Sequence, residues 1–381
     1  MTHQPASTPA EPTPTSTHTA SRTPTPWGRV AAIAGVIAIV VALLAAAFAW
    51  PGAKAKPAGL SIAVTGDPEL ISQFAQAAEQ SMPPGIEITP VQDRAAAIAR
   101  VQARDSIGAI VLAQPAPELL TASASGQVPS AMMSQLTAQL RAMLASQAFA
   151  AVREGIAAAP PQGDPAGIVG MIPASLPEVT VTDLAPYSGG DPNGIGLTTA
   201  GIPLTIGALL AGIALALTVR GRCRRISSVL GFGAVGGLLA GLVLGPWLEV
   251  FPGPFGAVWL ALSLSLAATA GLFAGLHSVL GKPGIGLAAL VTLFAAMPWA
   301  AFAVPYQFLP AGVGEIGQWL IPGATSTLSR SISYFPDAAT AHLWWILAAW
   351  AAAAFALILL GRAGARNAHS FVASDAGNAP R

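Results

Sequence analysis

The sequence predicts an α-helical polytopic membrane protein with six transmembrane helices and an extracytoplasmic α/β domain between the first and second. Three observations lead there. Only 9% of the 381 residues are Asp, Glu, Lys or Arg, and mean hydropathy is +0.61; a soluble domain carries about 25% charge and needs it to cover its surface. Long apolar stretches recur along the chain, each the length of a bilayer crossing. Charges return in strength only over residues 51–198, which hold twelve acids and seven bases, a net charge of −5.

Residues 1–26 hold six prolines and almost no large apolar side chain, too little to offset the entropy of ordering, and are expected to be a disordered cytoplasmic tail. From Trp27 to Trp50 the only charge is Arg29, and 24 helical residues reach about 36 Å, enough to span. Ala47-Phe48-Ala49 has the small residues of a signal-peptide cleavage site, but the apolar run is longer than such a segment needs, so it reads as an anchor. Five further spans are expected at about 199–219, 227–249, 255–277, 285–305 and 341–361.

Basic residues set the orientation. Arg220, Arg222, Arg224 and Arg225 lie between spans two and three, Lys282 between four and five, and Arg362 and Arg366 after six. With the amino terminus inside, all of these are cytoplasmic. The tail at 363–381 then lies in the cytoplasm too, and the chain is a multi-pass protein of the plasma membrane. The facing segments near Phe251–Pro254 and at 306–340 carry Arg330 as their only Lys or Arg.

Within the outer segment, Ser61–Val64 reads as a strand and 68–81 as a helix. Ile86–Val91 follows as a strand, Asp93–Arg104 as a helix and Gly108–Leu112 as a buried strand. This β-α-β-α-β order implies a small α/β domain. A long helix is expected over 129–157, a Pro/Gly-rich loop over 158–177, and a last strand at Glu178–Thr182. Residues 306–340 are too apolar for an ordinary loop, yet Pro310, Pro322 and Pro336 forbid one helix. Short helices at Glu315–Leu320 and Ser326–Phe335, lying on or in the outer leaflet, are expected.

The search for chemistry returns little. Gly275 to Lys282 superficially has the look of a phosphate-binding loop, but five residues separate Gly275 from Gly281 and Pro283 stands where a Ser or Thr should follow the lysine. Gly284-Ile285-Gly286 opens a membrane helix with no strand before it, unlike a dinucleotide fingerprint. His3, His18, His277, His342 and His369 show no ligand spacing. One cysteine, Cys223, allows no disulfide framework, cysteine zinc site or iron–sulfur cluster. Neither catalytic groups, a cofactor nor a metal is assigned, and no nucleic-acid partner is expected. The spans hold no ionisable group except Arg29, Glu249, His277 and His342, each near an edge, unlike an ion-coupled carrier.

Gly233, Gly237, Gly241 and Gly245 recur every four residues in the third span, and Gly271 and Gly275 repeat the spacing in the fourth, giving grooves for a neighbouring helix of this chain or of a second subunit. Pro246 and Pro298 are expected to kink their helices. The arginines of 220–225 suit either an acidic partner groove or anionic lipid of the bilayer.

The layout of one span, an outer α/β domain and five spans resembles actinobacterial type-2 ABC exporter permeases and the related phage infection protein family. Gly108-Ala-Ile-Val-Leu112 with Pro117-Glu-Leu-Leu-Thr-Ala-Ser123, Asp191-Pro-Asn-Gly-Ile-Gly196, and Ile321-Pro-Gly-Ala-Thr-Ser-Thr-Leu-Ser-Arg-Ser331 resemble recurrent segments of that group. The resemblance covers about residues 28–362. It implies export of a hydrophobic or amphipathic substrate, a homodimer and a separate cytoplasmic ATPase subunit; the loop at Arg220–Arg225 is shorter than the coupling helix of many such permeases. The alternative is a non-transporting cell-envelope assembly factor or surface receptor whose outer domain binds a partner.

Overall fold

The computed structural model describes residues 27–53, 59–81, 85–112, 116–158, 179–310 and 312–376. The amino-terminal tail and nearly all of the expected loop at 158–177 lie outside these. The first helix, α1, runs Trp27–Ala53. There follow β1 (Leu60–Gly66), α2 (Pro68–Ser81), β2 (Ile86–Pro90), α3 (Arg94–Gln102), β3 (Gly108–Leu112), β4 (Glu118–Thr121), α4 (Gln127–Ala158) and β5 (Thr180–Asp183). The strands form one sheet in the order β2-β1-β3-β4-β5. β1 pairs in parallel with β2 and β3, β3 pairs antiparallel with β4, and β4 pairs in parallel with β5.

Alternation along the strands splits the core into two layers. Ile62, Val64, Ile110 and Leu119 face α2 and α4, where Met133 and Leu140 meet them. Ala63, Ala109 and Leu120 face α3 through Ala97 and Val101. Asp93 caps α3, its side chain accepting from the Ala96 amide at 2.8 Å. The second layer is not self-contained: Phe335, from the far side of the sequence, is 1% exposed within it. The small side chains on the α3 face leave room that Phe335 fills.

β4 was not expected as a strand. Glu118 on it accepts two hydrogen bonds from Arg94, at 2.7 and 2.8 Å, and one from the Thr182 hydroxyl of β5 at 2.7 Å. The Arg94 hydrogen bonds hold the Glu118 carboxyl below its ordinary range, with burial opposing and Thr182 assisting. A depressed folded-state pKa stabilises above the unfolded value and is lost as pH falls through the folded one. Thermal unfolding should therefore separate Glu118→Gln from the parent at neutral pH, by a modest amount because Arg94 is half exposed. The difference should vanish below the carboxylate range of about pH 4.

The remaining helices form a bundle: α5 (Gly196–Thr218), α6 (Arg222–Leu242), α7 (Phe255–Leu280), α8 (Lys282–Leu290), α9 (Val313–Gln318), α10 (Ile321–Tyr334) and α11 (Ala341–Ala376). Among the described residues, four helices are long and apolar enough to cross a membrane: Gly196–Thr218, Arg222–Trp247, Phe255–Leu280 and Ala341–Gly361. Ala38–Trp50 and Lys282–Ala296 are shorter apolar helical stretches. In α7, 67% of the apolar window is buried, against 22–33% in the other three, so α7 is the axis and the others wrap it. The last helix continues well past the expected end of its span, to Ala376.

Two expectations about proline change. Pro246 lies in a π-helical turn, Val243–Trp247, that closes α6; the wider turn tolerates the missing amide, and the Leu248 amide reaches back to Val243 O at 2.9 Å. Pro298 does not kink a continuing helix. α8 passes into a π-helical stretch at Val291–Ala296 and ends there, so 285–305 is a short helix followed by irregular chain.

Contacts order the two ends of the bundle. At one end Thr198 donates to Phe302 O, and Arg330 donates to Ser125 O and Phe302 O, which places the α/β region there. At the other, Arg225 donates to Ser278 Oγ at 2.6 Å, and Gly361 packs on the Ser278 carbonyl. The reversals at this second end use Gly221 (φ 96°) and Gly281 (φ 68°), a region that glycine enters without steric cost.

Candidate functional site

A cavity of about 980 Å³ lies at the junction of the α/β region and the bundle. The turn after α3 supplies Arg104 and Asp105, the 3-10 turn at Tyr306–Phe308 supplies Tyr306 and Gln307, and α9 supplies Glu315, Gln318 and Trp319. Thr327 and Ser331 project from α10; His342, Trp345, Ile346 and Trp350 come from the first three turns of α11. Most of the lining is apolar, with polar groups gathered toward the α/β end.

Arg104 is the central charge. Its backbone is left-handed at φ 66°, a conformation a side-chain-bearing residue holds only when its surroundings enforce it. The helix-ending amide bonds of Arg104 and Asp105 to Val101 O and Arg100 O, at 3.1 and 2.9 Å, do so. The guanidinium donates to Ser331 Oγ at 2.7 Å and lies 5.2 Å from the centre of the Phe335 ring. Desolvation pulls its pKa down to about 9, with repulsion from Arg330 adding to the effect. A guanidinium keeps its proton in proteins, and no carboxylate of the described residues pairs with this one. Among the described residues the only ion pair is Arg94–Glu118.

Two amides beside it are also incompletely bonded. Gln318, 8% exposed, accepts from the Thr327 hydroxyl at 2.6 Å, while its Nε2 has no partner among the described residues. Gln307 Oε1 is buried and likewise unpartnered. Buried polar atoms are ordinarily satisfied, so these two side chains leave unused hydrogen-bonding capacity at the cavity.

The bundle interior is tighter. Between α5, α7 and α10 a space of about 30 Å³ is bordered by Thr205, Ser265, Thr269, Ser326 and Ser329, room for about one water.

The glycines fall into two groups. A methyl group at Gly233 would lie 2.7 Å from Ala267 Cβ, and one at Gly237 2.6 Å from Ser263 Cα, so both serve close α6–α7 packing. Methyl groups at Gly241 and Gly245 would meet their nearest atoms at 3.5 and 3.7 Å, ordinary spacing. At Gly271 and Gly275 the neighbour is α11, through Ala354 at 2.9 and 2.8 Å. Intrachain packing thus occupies these faces.

Of the four arginines, Arg225 is engaged by the fold: it donates to Ala216 O and Val219 O at the end of α5 as well as to Ser278. Arg220 and Arg224 are exposed, as is Cys223. Arg220, Arg222 and Arg225 border a smaller recess of about 150 Å³.

Sequence reasoning missed Arg104, Gln307 and Gln318. The usable signal was the excess apolarity of 306–340 beside the tryptophans of α11, an interfacial pattern that marked the region without giving its partner across the fold. Comparison with protein-family models, curated proteins and solved structures finds no match to this chain.

Proposed function

We propose that the chain is a plasma-membrane permease that exports a hydrophobic or amphipathic molecule, with the 980 Å³ cavity as its substrate site. The chain crosses the membrane six times, through α1, α5, α6, α7, the broken α8 segment and α11. Both termini lie in the cytoplasm and the α/β region outside. It works as a homodimer with a separate cytoplasmic ATPase subunit, as the resemblance to type-2 exporter permeases implies. The observation that carries this reading is the cavity: its walls combine apolar side chains with a single under-compensated cation, the surface an amphipathic molecule requires.

Two measurements test it. The single cysteine, Cys223, is exposed at the arginine end of the bundle. A membrane-impermeant maleimide should leave it unmodified in intact cells and modify it after permeabilisation; labelling of intact cells would reverse the orientation. Mild solubilisation from the native membrane should recover an ATPase with the chain, and its consistent absence would remove the powered-export part.

The narrowness of the bundle interior favours a second reading, in which the cavity binds its ligand for an envelope assembly or receptor role without passage. Unchanged efflux of a cavity ligand on deletion of the chain would select it.

A further inference from the structure

The cavity's shape and its charges together narrow what it holds. Along α11 it reaches from His342 to Ala353, eleven residues or about 17 Å at 1.5 Å per residue. That is close to one leaflet of a hydrocarbon core about 30 Å thick. Ile346, Ala349, Trp350 and Ala353 line this depth, an apolar wall suited to an acyl chain. At the α/β end the surface changes to Arg104, Ser331 and Gln318.

The signs are arranged by depth. Arg104 sits in the wall, packed on Phe335 and bonded to Ser331, with Arg330 adding positive potential from behind. The two acids of the lining, Asp105 and Glu315, are exposed, so water screens them, and neither pairs with Arg104. An anion entering beside Arg104 meets a forked donor, in a cavity that Gln318, with its unpartnered Nε2, also lines.

We propose that the cavity binds an anionic lipid, its acyl chain laid against α11 and its phosphate or carboxylate head on Arg104. This deepens the substrate-site reading above and rests on it. The Arg104 bonds to an anion replace water around an otherwise uncompensated cation, whereas a zwitterionic head of the same chain length brings its own ammonium, which Arg104 repels.

The test uses the full chain in nonionic detergent with lipids brominated along the acyl chain, which quench nearby tryptophans. Trp319, Trp345 and Trp350 line the cavity. Brominated phosphatidylglycerol and phosphatidate should quench saturably at about tenfold lower concentration than brominated phosphatidylcholine. Trp345→Phe, which removes an exposed ring that makes no hydrogen bond among those described, should reduce the quenched amplitude. Arg104→Gln should bring the anionic lipids to the phosphatidylcholine curve. Gln318→Leu, which leaves Arg104 in place, should weaken the anionic lipids severalfold and keeps the test decisive if the arginine variant does not fold.

Equal quenching by the two lipid classes, unmoved by Arg104→Gln, overturns head-group recognition and leaves an apolar substrate site standing. Absence of saturable quenching by every bromolipid overturns both readings. Displacement of the lipids by millimolar inorganic phosphate overturns the proposal in favour of a free-anion site.

Discussion

Leu120→Ala is expected to destabilise the protein far more than Leu347→Ala, although both side chains are fully buried at 0% exposure. Leu120 lies on β4 in the layer shared by α3 and Phe335. If that layer folds from water, truncation loses both the transfer of the side chain out of water and the packing around it, about 2–5 kcal/mol. Leu347 lies in α11 against Ala261, Ala324 and Leu328. With α11 in the bilayer, as proposed, its alternative environment is lipid, as apolar as the core it leaves, so the transfer contribution disappears and only packing is lost, roughly 1–2 kcal/mol. Amide hydrogen exchange on the detergent-solubilised chain reads both, through the amides of β1–β4 for the first variant and of α11 for the second. Equal losses would mean that the sheet and α11 share one solvent, contrary to the proposed placement of the α/β region.

Leucine at Gly237 or Gly275 should disrupt the bundle more than any single truncation of its surface. At Gly237 even a methyl group would lie 2.6 Å from Ser263 Cα, and at Gly275 2.8 Å from the Ala354 carbonyl oxygen. Backbone cannot rotate aside as a side chain does, so α6 must separate from α7, or α7 from α11. Overpacking of one or two methylenes costs about 1–3 kcal/mol; displacing two helix backbones at the axis of the bundle should exceed the upper end. The spacing of four residues alone predicts the same effect at Gly241, but its nearest neighbour is a Phe255 ring atom at 3.5 Å, so Gly241→Leu should be much milder. Gly286→Ala, with nothing within 4 Å, should be neutral or slightly stabilising through helix propensity. Thermal midpoints in one detergent rank the four variants, and a Gly237 variant no worse than Gly241→Leu would overturn the assignment.

These contrasts show what the sequence carried and what it did not. Apolar length announced the long helices, because a span needs only its own residues to be recognised. The order β1-α2-β2-α3-β3 was legible for a similar reason: Ile62 and Val64 alternate with Ala63, and Gly108–Leu112 is one apolar run bounded by turns. β4 escaped because Glu118-Leu119-Leu120-Thr121 has only four residues, and its identity as a strand comes from partners on both sides. The end of the helix after Ala296 escaped because Pro298 is compatible with a kink or a stop, and the choice depends on what receives the freed carbonyls. The cavity escaped most completely. Arg104 meets Ser331 across 227 positions of sequence, a distance over which no local pattern reports.

The irregular chain after α8 gives α10 a role beyond filling space. A membrane interior tolerates non-helical backbone only where protein supplies its hydrogen bonds. Ser326 donates to Ala300 O at 2.7 Å, and Arg330, one turn later on the same face, donates to Phe302 O at 3.2 Å. Side chains of α10 thus stand in for the missing rungs of a helical ladder, and Gly317 admits the Trp299 carbonyl beside them. Without α10 the carbonyls of Ala300 and Phe302 lose these donors. Residues 297–305 and 321–334 should therefore open together in amide hydrogen exchange, and because Arg330 also bonds Ser125 O and Phe335 packs in the α3 layer, that opening should loosen the sheet as well.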